Sequence, residues 1–169
     1  GATFTVKLPI ATNLLVEGIE SKDSSEVITT AEDSVVKNVL ILQGVKILVI
    51  DDQIDSLDFL AAGLEEYGAV VTTATSADEA LKALNKLQLD VLISDIGMPE
   101  VDGYELIDQV RSLEGDNQQI PAIALTAYAR EEDRNHAIAA GFQNHVPKPV
   151  DLNELVKVVA SLTKPSVPV

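Results

Sequence analysis

Val45-Lys-Ile-Leu-Val-Ile-Asp-Asp52 is an apolar run, broken only by Lys46, that ends in two carboxylates. Such a run fits a strand buried on both faces of a parallel sheet better than a strand with one wet face. Downstream, Ile54, Leu57, Leu60, Ala61 and Leu64 recur at helical spacing, and Gly68 offers a residue at which that helix closes. The same alternation then repeats along the chain. Val70–Ala74 reads as a second strand, and Ser76-Ala-Asp-Glu79 as a capping box opening a helix through Ala80, Leu81, Leu84 and Leu87. Val91–Ser94 is a third strand, Glu105–Leu113 a helix, Ala122–Leu125 a fourth strand, and Arg130–Ala140 a helix stopped by Gly141. A short strand near Gln143–Val146 leads to a last helix with Asp151 and Glu154 as its capping pair. Five βα units joined by short loops predict an α/β fold, a doubly wound (βα)5 unit with a five-stranded parallel sheet.

Upstream of Val45 the pattern is different. Residues 3–8 alternate strictly, with Phe4, Val6 and Leu8 on one face and Pro9 ending the run, as in a half-buried strand. From Ala11 to Gly44 periodicity is poor, and residues 17–26 are polar and rich in turn formers, which reads as a linker. Composition narrows the function. Of 169 residues, 46% are hydrophobic, enough for a buried core. Twelve Lys and Arg against 27 Asp and Glu leave a net charge of −15, which repels phosphate backbones and anionic membranes, so no nucleic-acid partner is expected. The absence of Cys excludes disulfides, Cys-ligated zinc and thiol catalysis, and two histidines, His136 and His145, cannot build a multi-His centre. No apolar run is long enough to span a bilayer, so no direct membrane insertion and a cytoplasmic setting are expected.

In a doubly wound sheet, ligands gather at the carboxyl ends of the strands, near the point where strand order reverses. Asp51 and Asp52 follow the first strand, Asp95 ends the third, Thr126 ends the fourth, and the fifth leads to Lys148. Taken singly, an Asp after a strand is usually a helix cap, and a Thr or a Lys there is unremarkable. Three acids on one edge are different, because they repel one another unless a cation sits among them. Hard oxygen ligands without His or Cys favour Mg²⁺, or Mn²⁺, over zinc.

With these residues in place the sequence resembles the receiver domain of two-component response regulators, of flavodoxin-like fold. The resemblance rests on Ile47-Leu-Val-Ile-Asp-Asp52, Leu92-Ile-Ser-Asp-Ile-Gly-Met-Pro-Glu-Val-Asp-Gly103, Ala124-Leu-Thr-Ala127 and Val146-Pro-Lys-Pro149, in that order across residues 45–163. It implies that Asp95 accepts a phosphoryl group and that Asp51, Asp52, Asp95 and the backbone carbonyl of Gly97 hold Mg²⁺. Lys148 would pair with phosphoryl oxygens, Thr126 would bond one of them after transfer, and Ala127 would leave room for the group. Lys148-Pro149 resembles the family's cis peptide, which would aim the lysine inward. Phosphoryl transfer needs positioning and charge neutralisation more than covalent machinery, and these groups supply both.

Three positions depart from the commonest pattern or vary within it. His145 stands where the family usually has Tyr or Phe as a rotamer switch, so it is either a spacer or a switch of different polarity. Gly97 and Tyr128 flank the path of the water that hydrolyses the acyl phosphate and would tune its lifetime. His136 reads as a solvated surface residue.

Residues 1–10 resemble the last strand of a histidine-kinase ATP-binding domain. With a linker at 11–44, the receiver at 45–163 and a tail at 164–169, the order matches the C-terminal end of a hybrid histidine kinase. The implied partners are a kinase phosphohistidine domain and a histidine phosphotransfer protein; the fragment itself would catalyse its own phosphorylation and dephosphorylation. The alternative is a phosphorylation-independent interaction domain of the same fold, which normally lacks one pocket residue, whereas all five are present here. A Mg²⁺-dependent phosphatase is disfavoured, because Gly97 occupies the place of the second acid such enzymes generally need.

Overall fold

The computed structural model describes residues 41–163. The strand expected at 3–8, the segment 11–40 and the tail 164–169 lie outside the described residues. Five strands, β1 (Lys46–Ile50), β2 (Val70–Ala74), β3 (Val91–Asp95), β4 (Ala122–Thr126) and β5 (Asn144–Pro147), alternate with five helices. These are α1 (Ile54–Glu66), α2 (Ala77–Lys86), α3 (Gly103–Arg111), α4 (Glu131–Ala140) and α5 (Leu152–Thr163). All strand pairs are parallel, in the order β2-β1-β3-β4-β5, as a doubly wound sheet requires.

The apolar runs explain the layering. Successive residues of a strand face opposite sides, so Ile47 and Val49 of β1 pack under α1 and α5, while Leu48 and Ile50 pack under α2 and α3. The strands β3 and β4 are buried along their whole length. At the sheet edge, β2 has Val70 more than half exposed. No described helix is long and apolar enough to cross a membrane.

The helix caps differ in places from the sequence expectation. The third helix begins at Gly103, not Glu105. Asp102 is its N-cap, accepting from the Glu105 N–H at 2.9 Å, while the Glu105 carboxylate accepts from the Asp102 N–H at 3.3 Å. Glu105 is therefore the third residue of a complete capping box. At Ser76 only half of the expected box forms. Ser76 Oγ accepts from the Glu79 N–H at 3.3 Å, but Glu79 Oε2 turns to the Thr75 N–H and hydroxyl at 2.7 and 2.8 Å. Those bonds, the backbone one foremost, hold the Glu79 carboxyl below its ordinary value. Asp151 caps α5 as expected, accepting from the Glu154 N–H at 3.1 Å. Ile54, expected on the buried stripe of α1, is the first helical residue and is 64% exposed, so the buried stripe begins at Leu57.

Residues 41–44, read as the end of a linker, pack on the domain. Leu42 is fully buried in the α1/α5 layer, and its N–H donates to Tyr67 O at 2.9 Å. A short 3-10 turn at Asp116–Gln119, absent from the sequence reading, is tied to Arg111. That guanidinium donates to the carbonyls of Gln118, Ile120 and Gly141 and to Gln143 Oε1.

Candidate phosphoacceptor site

Strand order reverses between β1 and β3, and the carboxylates lie at the carboxyl ends of those two strands. Asp51 follows β1 and is fully buried; its Oδ1 accepts from the Gln53 N–H at 2.9 Å, the bond that stands in for a side-chain cap at the start of α1. Asp95 closes β3 at 6% exposure, and its Oδ1 accepts from the Gly97 N–H at 3.2 Å. Asp52 is exposed at the mouth. Each of the three places a carboxylate oxygen within 4.8 Å of the others, and among the described residues theirs is the one such cluster.

Lys148 reaches this cluster from the end of β5. Its Nζ lies 3.1 Å from Asp51 Oδ2 and 3.1 Å from Asp95 Oδ1. Burial opposes the ammonium charge, but the hydrogen bonds and charges of Asp95 and Asp51 outweigh it and raise the Lys148 pKa. One cation cannot neutralise three carboxylates. The remaining negative charge and the all-oxygen donor set fit a hard divalent ion, so the triad is able to bind a metal. The Lys148-Pro149 peptide is cis, as the resemblance implies.

The other expected residues stand around this core. Thr126 ends β4 and is 4% exposed, but its Oγ1 donates to Tyr128 O at 2.9 Å, within its own loop. Ala127 is exposed beside it. A Cβ added at Gly97 would make ordinary contact with the Asp95 oxygens, at 3.8 and 3.9 Å. His145 is half-buried on β5, in register with Ala124 of β4 and so on the face that carries Thr126. His136 is exposed, yet its ring stacks on Tyr104 at 4.1 Å between centroids, joining α3 to α4. Sequence reasoning missed that contact.

It also missed two supports of the pocket. Gly103 lies so close to the end of β3 that a Cβ there would stand 2.6 Å from Asp95 O and 2.8 Å from Ile96 Cα. The signal was its place in Val101-Asp-Gly103, eight residues after Asp95. A hollow of about 310 Å³ adjoins Asp51 and Lys148, walled by Phe59, Leu60, Pro149 and Val150. Phe59 is 53% exposed and lies off the buried stripe of α1, so periodicity gave no reason to single it out.

The comparisons with known proteins agree with this geometry. The model of the response regulator receiver domain matches residues 47–160. An uncharacterized 14.6 kDa protein of Leptolyngbya boryana, from the sodA1 3' region, is 51% identical over 113 residues, covering 67% of this chain and 86% of that protein. Response regulator SaeR of Staphylococcus epidermidis is 38% identical over 110 residues, covering 65% of this chain and 46% of SaeR, so the match takes in about half of that protein. The receiver domain of sensor histidine kinase PA1611 from Pseudomonas aeruginosa, solved with magnesium coordinated in its active-site cleft, superposes with a TM-score of 0.66 at 27% identity. That superposition covers 72% of this chain and 99% of PA1611's receiver. The pocket of Asp51, Asp52, Asp95 and Lys148 is consistent with an aspartate that accepts a phosphoryl group. This chain belongs to the response regulator receiver domain family.

Proposed function

We propose that Asp95 is the phosphoacceptor and that it takes its phosphoryl group from a phosphohistidine. The observation that carries this reading is the position of Lys148 Nζ, held between Asp51 and Asp95 at hydrogen-bond distance from both. Asp95 needs no general base: its carboxylate oxygen attacks phosphorus, the P–N bond breaks, and the departing imidazole keeps the electron pair and takes up a proton. Mg²⁺ held by Asp51, Asp52, Asp95 and the Gly97 carbonyl would supply neutralising charge for the phosphoryl oxygens; Mn²⁺ has the same donor preference. Lys148 takes one of those oxygens, turning from carboxylate to phosphoryl without leaving the pocket.

Thr126 carries the conformational response. Its hydroxyl has one proton to donate, now given to Tyr128 O. To bond a phosphoryl oxygen it must give up that carbonyl, which frees the loop 127–130 ahead of α4. His145, on the same face of the neighbouring strand, would sense the change as the family's switch residue. Ala127 leaves the space beside Thr126 open, and Tyr128 and Gly97 set how readily water reaches the acyl phosphate.

We assign the donor to a kinase phosphohistidine domain, with a histidine phosphotransfer protein as a downstream acceptor, and the parent to a hybrid histidine kinase, membrane-attached or not, whose receiver lies in the cytoplasm. The PA1611 receiver, part of a sensor histidine kinase, supports that assignment, as does the resemblance of the sequence of residues 1–10 to that of a histidine-kinase ATP-binding domain. The full set of pocket residues favours this reading over a phosphorylation-independent interaction domain. The test is intact mass after incubation with Mg²⁺ and a small acyl-phosphate donor. A Mg²⁺-dependent gain of one phosphoryl group in the wild type and none in Asp95→Asn is expected; equal gain in both sinks the assignment.

A further inference from the structure

Among the five helices α4 is the least anchored. Ala137 is its one buried residue, whereas α1, α3 and α5 bury four each. The loop ahead of it is held by the Thr126 hydroxyl on Tyr128 O. A further tie is the aromatic stack, in which the His136 ring lies on that of Tyr104 with 4.1 Å between centroids and 17° between planes. Tyr104 belongs to a fixed part of the domain. It follows Gly103, whose N–H donates to Ile96 O at 3.1 Å and whose backbone lies too close to Asp95 O for a side chain. The ring that receives His136 is therefore placed by the end of the strand that carries Asp95.

Asp133, one turn before His136, works against the stack. Its Oδ2 is sealed from solvent and has no hydrogen-bond partner among the described residues. Burial foremost, then the charges of Asp133 and Asp102, raise the pKa of the Tyr104 phenol, which puts the Asp133 carboxylate near the stacked rings. A sealed carboxylate oxygen without a partner costs free energy that water recovers once α4 moves outward. The stack thus favours the observed position of α4 and the carboxylate disfavours it. Opposed contributions of this kind leave two positions of one helix close in free energy.

We propose that the Tyr104–His136 stack is a catch that holds α4 in its unphosphorylated position, and that the sealed Asp133 oxygen biases the catch toward release. The proposal rests on the reading that Asp95 takes the phosphoryl group. When the Thr126 hydroxyl turns from Tyr128 O to a phosphoryl oxygen, the loop no longer restrains the start of α4. The helix then leaves Tyr104, and Asp133 Oδ2 reaches water. His136 and Asp133 are positioning residues, acting on the site through the position of α4. By linkage, a change that weakens the catch strengthens binding of a phosphoryl group at Asp95, and a change that tightens the catch weakens it.

The test is calorimetric titration of the whole chain with beryllofluoride, a phosphoryl analogue that coordinates a carboxylate oxygen, in excess Mg²⁺. His136 is exposed, so its replacement keeps the core. His136→Ala is expected to tighten beryllofluoride binding by about two- to tenfold, the worth of one aromatic pair, and His136→Phe, which keeps a stacking ring, to restore wild-type affinity. Asp133→Ala is expected to weaken it by about two- to tenfold. Removal of a negative charge alone strengthens anion binding, so that weakening isolates the sealed oxygen. With labelled aromatic rings, nuclear Overhauser cross-peaks between Tyr104 and His136 are expected without beryllofluoride and lost with it. A merely structural stack lowers the stability of His136→Ala and leaves its beryllofluoride affinity unchanged, and that result overturns the proposal. So do cross-peaks that persist in the complex, or an Asp133→Ala variant that binds as tightly as wild type or more so. Binding that survives in Asp95→Asn defeats instead the phosphoacceptor reading on which the catch rests.

Discussion

Lys148 Nζ and Asp95 Oδ1 stand 3.1 Å apart, although the two residues end different strands and β4 lies between those strands in the sheet. The lysine spans that gap and reaches Asp51 as well, so a single cation offsets two carboxylates that folding has largely removed from water. The pocket is thus balanced enough to fold and still negative enough to attract a divalent ion.

Lys148→Ala leaves Asp51 and Asp95 buried without their cation. With the lysine side chain about a third exposed, solvent screening keeps the cost below that of a fully buried pair, to about 1–3 kcal/mol without metal. Mg²⁺ restores more stability to this variant than it adds to the wild type, as thermal unfolding with and without the ion will show. If the ion fails to narrow the gap, Lys148 and metal do not share a charge-balancing role.

The pH dependence follows from the raised Lys148 pKa. A group whose folded value lies above its unfolded one stabilises fully below the unfolded value, near 10.5, and loses that contribution as pH rises through the folded value. In metal-free urea titrations the stability difference between wild type and Lys148→Ala is therefore constant from about pH 7 to about pH 10, where Asp51 and Asp95 stay ionised, and shrinks above it. A difference that grows with alkalinity contradicts the assignment.

Asp52→Ala separates metal binding from stability. Asp52 is exposed while Asp51 is buried and hydrogen-bonded to both Gln53 and Lys148. Removing one of three carboxylates weakens Mg²⁺ binding by about tenfold or more, with unfolding free energy changed by less than about 0.5 kcal/mol. Calorimetric titration and urea unfolding measure the two sides. An unchanged metal affinity removes Asp52 from the ligand set.

Gly103→Ala and Gly97→Ala form a matched pair. At 103 the new methyl meets Asp95 O at 2.6 Å and Ile96 Cα at 2.8 Å, both backbone, so the start of α3 and the end of β3 must move apart. The cost is about 1–3 kcal/mol, and Mg²⁺ affinity falls because Asp95 shifts. At 97 the methyl makes only ordinary contacts, so stability stays within about 0.5 kcal/mol of wild type.

Arg111→Met tests the other end of the domain. The guanidinium ties α3 to the turn at 116–119 and to Gly141, and burial lowers its pKa without removing its charge. Loss of these bonds leaves half-buried carbonyls unpaired and costs about 2–4 kcal/mol, while metal binding is unchanged. A loss of metal affinity matching the loss of stability shows instead that the two ends are coupled.

How much of this was legible in the sequence depends on which interactions are local. The order of elements follows from apolar periodicity, and Asp51, Asp52 and Asp95 follow from their place after apolar strands, since a strand end fixes its next residue on the sheet edge. The start of α3 was missed because Glu105 carries the capping signal three residues inside the helix. Leu42 was assigned to a linker because one buried leucine before a strand has no period of its own. The Thr126–Tyr128 and Tyr104–His136 contacts depend on how a loop and two helices pack, which spacing along the chain does not encode.

The most direct measurement locates the phosphoryl group. After treatment with a small acyl phosphate and Mg²⁺, borohydride reduction converts an aspartyl phosphate to homoserine, which peptide mass mapping places in the sequence. Homoserine at position 95 alone, and none without Mg²⁺, is the predicted result. Homoserine at Asp51 or Asp52, or label at any other residue with Asp95 intact, contradicts it.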